Sequence, residues 1–268
     1  MRRKKRKGRP GWHLECSAMS MKYLGETFDI HCGGEDNIFP HHENEIAQSE
    51  AATGKKFVNY WLHCGYLLVE GRKMSKSLGN FYTLQDLFDK GHKSSAVRYL
   101  LLSTHYRQQL NFTIDGLEAA ANAIQRLQDF ILALRGINAE GNCADAEKLL
   151  IDARVGFEES LEDDLNIAPA LGAVFTMVKE INKIISEGKM TTSAAGKTLN
   201  FLKSVNNILG VLDFSEPESD AEIDQLIEQR LQARKNRDFK TADEVRDKLQ
   251  GMGILLEDTP DGTRWKRQ

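Results

Sequence analysis

Apolar residues recur at helical spacing through four successive segments of the second half of the chain, and this pattern constrains the fold most. The first segment, residues 115–136, has two stripes at seven-residue spacing, Leu117, Ile124 and Ile131, and Ala120, Leu127 and Leu134. Such spacing gives a helix one apolar face. The other three segments lie at about 144–161, 167–187 and 192–210. We therefore predict an antiparallel all-α helical bundle over residues 115–212, with Asp115 as the N-cap and Gly136 as the end of its first helix.

Residues 8–114 have a different pattern, in which short β-rich runs alternate with helical ones. TFDIHCGG, residues 27–34, predicts a strand that enters a glycine loop, and Pro40 and Gly54 predict the start and the end of the next helix. Two further strands are expected in residues 56–74, with a turn at Glu70-Gly71. This alternation is typical of an α/β layer.

The last part of the chain reads as a small α+β module. A polar linker at 213–221 precedes helices predicted at 222–235 and 238–251. Pro260-Asp261-Gly262 then predicts a turn between two short strands. The predicted fold is thus a partial α/β domain, a helical bundle and a small C-terminal α+β module over residues 222–268.

Composition and charge narrow the class of protein. No apolar run approaches the roughly 20 residues that cross a bilayer, and no hydrophobic segment follows the N-terminal charges, so we expect a cytoplasmic protein with no membrane contact. The net charge of −3 neither indicates nor excludes a nucleic-acid partner. MRRKKRK, residues 1–7, is interpreted as a disordered basic tail, with a nucleic-acid arm or a localisation signal as alternatives. The four cysteines are too few and too scattered for a disulfide framework.

The segment FPHHENE contains a candidate metal site. On a helix that starts near Pro40, His41 and Glu45 are four residues apart and share a face, whereas His42 points about a quarter-turn away. The pair could hold zinc, or it could be part of an ordinary solvated face. Cys16 could be brought beside this helix by the intervening strand and glycine loop. Three ligands with an open position are typical of a zinc site that binds a further ligand.

The segment KMSKSLGN, residues 73–80, is a candidate phosphate-binding loop. Lys73 and Lys76 could place two ammonium groups on a polyphosphate, although a plain solvated loop is the alternative. The segment is not a P-loop, because no glycine cradle precedes the lysine. As a literal string, KMSKS is the signature loop of class I aminoacyl-tRNA synthetases.

Five separated motifs resemble the cysteinyl-tRNA synthetase family in order and spacing. They cover essentially residues 8–268 and read GRPGWHLECSAM, FDIHCGGEDNIFPHHENEIAQSE, NYWLHCGYLLVEGRKMSKSLGNF, VRYLLLSTHYRQQLNFT and RLQARKNRDFKTADEVRDKL with GILLEDTPDGTRWKR. The resemblance implies a ligase that activates cysteine with ATP and transfers it to the tRNA specific for cysteine.

The resemblance also implies roles for individual residues. Zinc would be held by Cys16, His41 and Glu45 and would bind the thiolate of substrate cysteine, which serine and alanine cannot imitate. Trp12 and His13 would line the amino-acid pocket, although the sequence alone would make Trp12 a packing residue. Lys73 and Lys76 would act on the phosphates of ATP, which enters with Mg²⁺. The implied nucleotide neighbours are Gly33, Gly34 and Asp36, and the implied anticodon contacts are Arg234, Phe239, Asp258 and Trp265.

The sequence departs from the family in two respects. The half of the nucleotide-binding fold that carries the HIGH motif, together with the fourth zinc ligand, is absent upstream of residue 8. Cys32 stands where the family usually has glycine, either as a substitute ligand or as a small residue at a strand end. We expect a monomer that alone does not form cysteinyl-adenylate, and the sequence is interpreted either as a truncated gene product or as one piece of a split enzyme completed by an N-terminal polypeptide. A non-catalytic tRNA-binding protein and the related cysteine ligase of mycothiol synthesis are alternatives, disfavoured by the intact site residues and by the tail module respectively.

Overall fold

The computed structural model describes residues 9–215, 221–236, 238–259 and 262–267. These residues form two compact units, one that ends at Asp213 and one that begins at Phe214. The basic tail predicted at residues 1–7 lies outside the described residues, as do residues 216–220 of the predicted linker.

The first unit begins with a parallel two-stranded sheet and the helices around it. Its first elements are α1 (His13–Leu24), β1 (Phe28–Gly34), α2 (Glu43–Thr53) and β2 (Val58–Cys64). α2 is the crossover that makes these two strands parallel. In their register, His31 lies opposite Trp61 and Gly33 lies opposite His63. Gly54 ends α2 in the left-handed conformation, as predicted. The predicted start of α2 is wrong by three residues, because Pro40 lies in a π-helical turn, Ile38–His42, that precedes it.

A second, three-stranded sheet carries the lysine loop. It consists of β3 (Leu67–Val69), β4 (Arg72–Lys73) and β5 (Leu110–Phe112), in the order β4-β3-β5. β3 and β4 form the hairpin predicted at Glu70-Gly71, where both residues have positive φ. Residues 56–74 thus contain three strands rather than two. The short helices α3 (Leu84–Asp89) and α4 (Ser94–Leu102) connect the loop to β5, which is parallel to β3.

The helical bundle has the bounds that the apolar spacing predicts, to within one residue at each end. Its helices are α5 (Ile114–Arg135), α6 (Ala144–Glu162), α7 (Ile167–Ser186) and α8 (Thr192–Leu209). In α5, the predicted stripe residues Leu117, Leu127, Ile131 and Leu134 are at most 1% exposed. This burial is the main stabilising term for these helices, since helices of this length are marginal in isolation.

The N-cap of α5 is Thr113 and not Asp115. Thr113 has an extended backbone, and its Oγ1 accepts a hydrogen bond from the Gly116 N–H at 2.9 Å. The physical reason is that β5 ends at Phe112, so the backbone turns into the helix at the next residue. Asp115 lies in the first turn, where its charge still suits the helix dipole.

The second unit consists of two helices followed by a hairpin. The elements are α9 (Ala221–Lys235), α10 (Phe239–Gly251), β6 (Ile254–Thr259) and β7 (Gly262–Arg267), and the strands are antiparallel. Side chains from both helices and from Ile254 form a small apolar core, namely Ile223, Leu226, Ile227, Val245, Leu249 and Ile254. Pro260 and Asp261 of the predicted turn lie outside the described residues. No helix in the described part of either unit is long and apolar enough to cross a membrane.

The N-cap assignment can be tested with two alanine variants. Thr113→Ala is expected to lower the free energy of unfolding by about 1 kcal/mol, because the Gly116 N–H loses its acceptor. Asp115→Ala is the matched control and should cost only about 0.3–1 kcal/mol, the value of a charge near a helix end. Urea unfolding followed by circular dichroism measures both, and a larger loss in Asp115→Ala would contradict the assignment.

Candidate metal and nucleotide site

The three predicted metal ligands come together although they lie on different elements. Cys16 is on α1, His41 is in the turn before α2 and Glu45 is in the first turn of α2. α1 packs against α2, and one potential ligand atom from each residue lies within 4.8 Å of the others. Cys32 belongs to neither of the two candidate metal groups among the described residues.

Glu45 is the most unusual residue of this group, because its carboxylate is fully buried. Oε2 accepts a hydrogen bond from Nε2 of His31 at 2.8 Å. Oε1 lies 2.8 Å from Nε2 of His41, but the contact lacks hydrogen-bond angles, and Oε1 has no hydrogen-bond partner among the described residues. A buried carboxylate oxygen without a partner is costly, and a cation beside it would remove that cost.

The chemistry of the three side chains also fits zinc. A thiol, an imidazole and a carboxylate are the three ligand types that zinc accepts in proteins. Without a metal, burial raises the pKa of the Cys16 thiol, and the carboxylates of Glu45 and Glu15 raise it further. A bound dication would reverse this effect, because it deprotonates a coordinating thiol. The arrangement therefore suits a metal-bound thiolate better than a free one.

Four histidines surround the site, and sequence reasoning identified only His41 as a ligand. His31, His42 and Glu45 form a second group with ligand atoms within 4.8 Å. Nδ1 of His42 shares a hydrogen bond with Nε2 of His63 at 2.8 Å. Burial and, to a smaller extent, the neighbouring histidines together lower the pKa of His42 to about 4, so this ring is neutral near pH 7. His31 and His63 reach this group through the parallel register of β1 and β2, which local sequence spacing does not give.

Gly33 has a packing role that its predicted place near the nucleotide does not reveal. A Cβ on Gly33 would lie 2.5 Å from Cε1 of the buried His42 ring, so only glycine leaves room for this imidazole. A Cβ on Gly34 would instead meet Oδ1 of Asp36 at 2.5 Å, and Asp36 is an exposed, movable side chain. Both glycines lie at the carboxyl end of β1, the edge at which parallel sheets bind ligands.

Trp12 and His13 lie beside the metal group. Trp12 is 76% exposed, so its interpretation as a packing residue is wrong. Its ring makes an edge contact with the ring of His41, with 6.5 Å between centroids. His13 begins α1, one turn before Cys16. Trp12 therefore presents an open aromatic face next to a predicted ligand, as a pocket wall would.

The two lysines of the loop are exposed and rest on aromatic rings. Lys73 ends β4, and Lys76 begins a short 3-10 turn, Lys76–Leu78. Nζ of Lys73 lies 6.0 Å from the centroid of the Tyr66 ring, and Nζ of Lys76 lies 5.3 Å from that of Phe81. Neither ammonium group forms an ion pair with a carboxylate in the described part of the chain. Both can therefore be offered to an anionic ligand.

The second unit holds two of the four predicted anticodon residues in one cavity. Arg234 and Phe239 line a cavity of about 280 Å³ together with Arg230 and Arg246. Phe239 is 63% exposed, and a basic pocket with an open aromatic ring can stack and pair a nucleobase. The side chains of Asp258 and Trp265 lie outside the described residues.

The comparison with solved structures defines the fold. A LeuRS from Agrobacterium radiobacter K84, crystallised with tRNA and LeuAMS, matches with a TM-score of 0.55 and 20% identity over 68% of this chain and 25% of that chain. Residues 4–122 match the family described as the tRNA synthetases class I (C) catalytic domain. The domain match and the fold identify this chain as part of a class I aminoacyl-tRNA synthetase.

More specific matches narrow the family. Residues 156–213 match the DALR domain, and residues 216–265 match the cysteinyl-tRNA ligase anticodon binding domain. The cysteine–tRNA ligase of Brachyspira hyodysenteriae is 51% identical over 98% of this chain and 57% of its own length. That of Protochlamydia amoebophila is 51% identical over 97% of this chain and 55% of its own length. The chain belongs to the cysteine–tRNA ligase family and spans little more than half the length of these relatives.

The contrast between Gly33 and Gly34 gives a prediction about the packing of the His42 ring. Gly33→Ala is expected to lower the free energy of unfolding by about 1–3 kcal/mol, because the new methyl group displaces the buried His42 ring. Gly34→Ala should cost less than about 0.5 kcal/mol, because the exposed Asp36 side chain can move away. Urea unfolding of the two variants provides the measurement. Equal losses would show that His42 does not require the space at Gly33.

Proposed function

We propose that this chain forms the zinc-binding, phosphate-binding and tRNA-binding part of a cysteine–tRNA ligase. The observation that carries the proposal is the convergence of Cys16, His41 and Glu45, with the buried Oε1 of Glu45 left without a hydrogen bond. Membership of the family supports the proposal, and the substrates would be cysteine, ATP and the tRNA specific for cysteine.

The metal group would select the amino acid. A zinc ion held by Cys16, His41 and Glu45 would bind the thiolate of cysteine, and a site of this kind rejects serine and alanine, which an apolar pocket separates poorly. The protein prepares this site in advance, because His31 holds one oxygen of Glu45 and so fixes the direction of the other. Trp12 would cover the open side beside His41 and shield the amino acid from water.

The lysine loop would act on ATP. In the activation step, the carboxylate of cysteine attacks the α-phosphate, and pyrophosphate leaves with Mg²⁺. Lys73 and Lys76 would balance the negative charge that develops on the phosphates, and their exposure supports this role. The nucleotide would lie near the carboxyl end of β1, beside Gly33, Gly34 and Asp36.

The remaining parts of the chain would bind tRNA. We propose that the bundle, residues 115–212, contacts the body of the tRNA and that residues 222–268 read the anticodon. Arg234 and Phe239 would contact bases from the cavity that they line. Asp258 and Trp265 stay predicted contacts.

Zinc binding is the most direct test of the metal group. The purified chain is expected to bind one zinc ion, and Cys16→Ala or Glu45→Gln should weaken binding by more than the roughly 10- to 100-fold that loss of an outer partner costs. Cys32→Ala is the control, because Cys32 is outside the metal group. Competition with a coloured chelator measures the affinity. Binding that depends on Cys32 and not on Cys16 would contradict the assignment.

The same competition assay tests the substrate. Cysteine is expected to make zinc harder for the chelator to remove, whereas serine should have no effect, because only a thiolate adds a strong ligand. Equal effects of the two amino acids would argue against a cysteine-selecting site and in favour of the non-catalytic alternative.

Gel-shift binding tests the tRNA partner. The chain should retard the tRNA specific for cysteine more strongly than another tRNA, and Phe239→Ala should weaken this binding by loss of stacking worth about 1–3 kcal/mol. Tyr23→Ala is a matched control, because Tyr23 is also a large exposed aromatic residue but lies on α1, outside both parts of the chain that are proposed to bind tRNA. Absence of any preference would favour the mycothiol-type ligase, which needs no anticodon reader.

A further inference from the structure

Asn80, the last residue of KMSKSLGN, connects three parts of the lysine-loop region with one side chain. Its Nδ2 donates hydrogen bonds to the carbonyl oxygens of Val69 and Lys73, each at 3.2 Å. Its Oδ1 accepts a hydrogen bond from the Ser75 N–H at 2.9 Å. One amide group therefore joins the end of β3, the end of β4 and the start of the loop.

These three hydrogen bonds use both donors and the acceptor of the Asn80 carboxamide. A primary amide offers two donors and an acceptor on one planar group, and both strand carbonyls here need donors while the loop N–H needs an acceptor. A carboxylate at the same place would keep the acceptor and lose both donors. Asn80 is partly buried, so water replaces these bonds only incompletely.

The loop has little other connection to the protein. Within the described part of the chain, the remaining hydrogen bonds of residues 75–79 join loop atoms to one another, namely Ser75 to Ser77, Leu78 to Ser75 and Gly79 to Lys76. Among the described residues, the lysine ammonium groups lie over the rings of Tyr66 and Phe81, and such contacts at exposed sites are weak. The position of both lysines thus depends on how the base of the loop is held.

We propose that Asn80 is the positioning residue of the Lys73–Lys76 loop. It fixes the carbonyl of Lys73 and the amide of Ser75, so that both lysines leave the hairpin from a fixed base. The tip of the loop stays free to close over a polyphosphate and to open again. This role rests on the proposed function in one respect, because it takes the ligand of the loop to be the phosphates of ATP.

Asn111 offers a matched control on the same hairpin. Its Oδ1 accepts a hydrogen bond from the Gly71 N–H at 2.7 Å, at the turn between β3 and β4. It therefore stabilises the hairpin turn, and within the described residues its side chain makes no hydrogen bond to residues 73–80. Asn111→Ala removes one hairpin hydrogen bond and leaves the base of the loop intact.

Hydrogen exchange tests the structural half of the proposal on the chain itself. Asn80→Ala should speed exchange of the Ser75 amide by about five- to tenfold, the effect of losing one hydrogen bond. Asn80→Asp should restore the protection of Ser75, because it keeps the acceptor. Asn111→Ala should leave Ser75 unchanged. Equal exchange of Ser75 in the unmodified chain and in Asn80→Ala would overturn the proposal.

Binding of ATP with Mg²⁺ tests the functional half. Asn80→Ala should weaken ATP binding by about tenfold, the effect of roughly 1.4 kcal/mol, while its zinc affinity stays that of the unmodified chain. A merely structural role would change both affinities or neither, and either result would overturn the positioning role. Absence of ATP binding by the unmodified chain would instead overturn the proposed nucleotide function, and the Ser75 exchange would still decide whether Asn80 holds the loop.

Discussion

The buried carboxylate of Glu45 is the interaction on which the first part of the structure depends. Taking a carboxylate out of water costs several kcal/mol unless its oxygens have partners. Here the hydrogen bond to Oε2 comes from His31 on β1, and the potential metal ligands that lie beside Glu45 come from α1 (Cys16) and from the turn before α2 (His41). The two helices and the strand must therefore lie close together for Glu45 to be buried at all. The burial of Glu45 therefore constrains both the geometry of the site and the packing of α1, α2 and β1 around it.

A layer of stacked aromatic and imidazole rings connects Glu45 to the sheet formed by β1 and β2. His31 stacks on Trp61 with 4.6 Å between centroids, and the two residues are register partners on β1 and β2. His42 fits above Gly33 and bonds to His63 on the next strand. The hydrogen bond from His31 to Glu45 is thus supported by a stacked ring behind it, which restricts the direction of the carboxylate. Outer partners of this kind fix the geometry of metal ligands.

The sequence predicted the features that depend on local spacing. The helices of the bundle, the glycine that ends α2 and the hairpin at Glu70-Gly71 follow from periodicity and turn chemistry, and the structure confirms them. The shared face of His41 and Glu45 is of the same kind. Contacts between distant residues were not predictable in this way. The bonds from His31 to Glu45 and from His42 to His63 depend on strand register, and the N-cap at Thr113 depends on where β5 ends.

The two candidate sites differ in burial, and the difference suits the ligand proposed for each. Selection of a thiolate over a hydroxyl depends on coordination geometry, so its ligands benefit from being buried and held before the ligand arrives. A polyphosphate is recognised mainly by charge, and it must enter and its products must leave, so the groups that bind it benefit from exposure and from a mobile loop. Glu45 is fully buried, whereas Lys73 and Lys76 are exposed on a segment joined to its hairpin through Asn80. In the proposed function, the buried metal group would select the amino acid, and the exposed loop, held at its base by Asn80, would bind the phosphates.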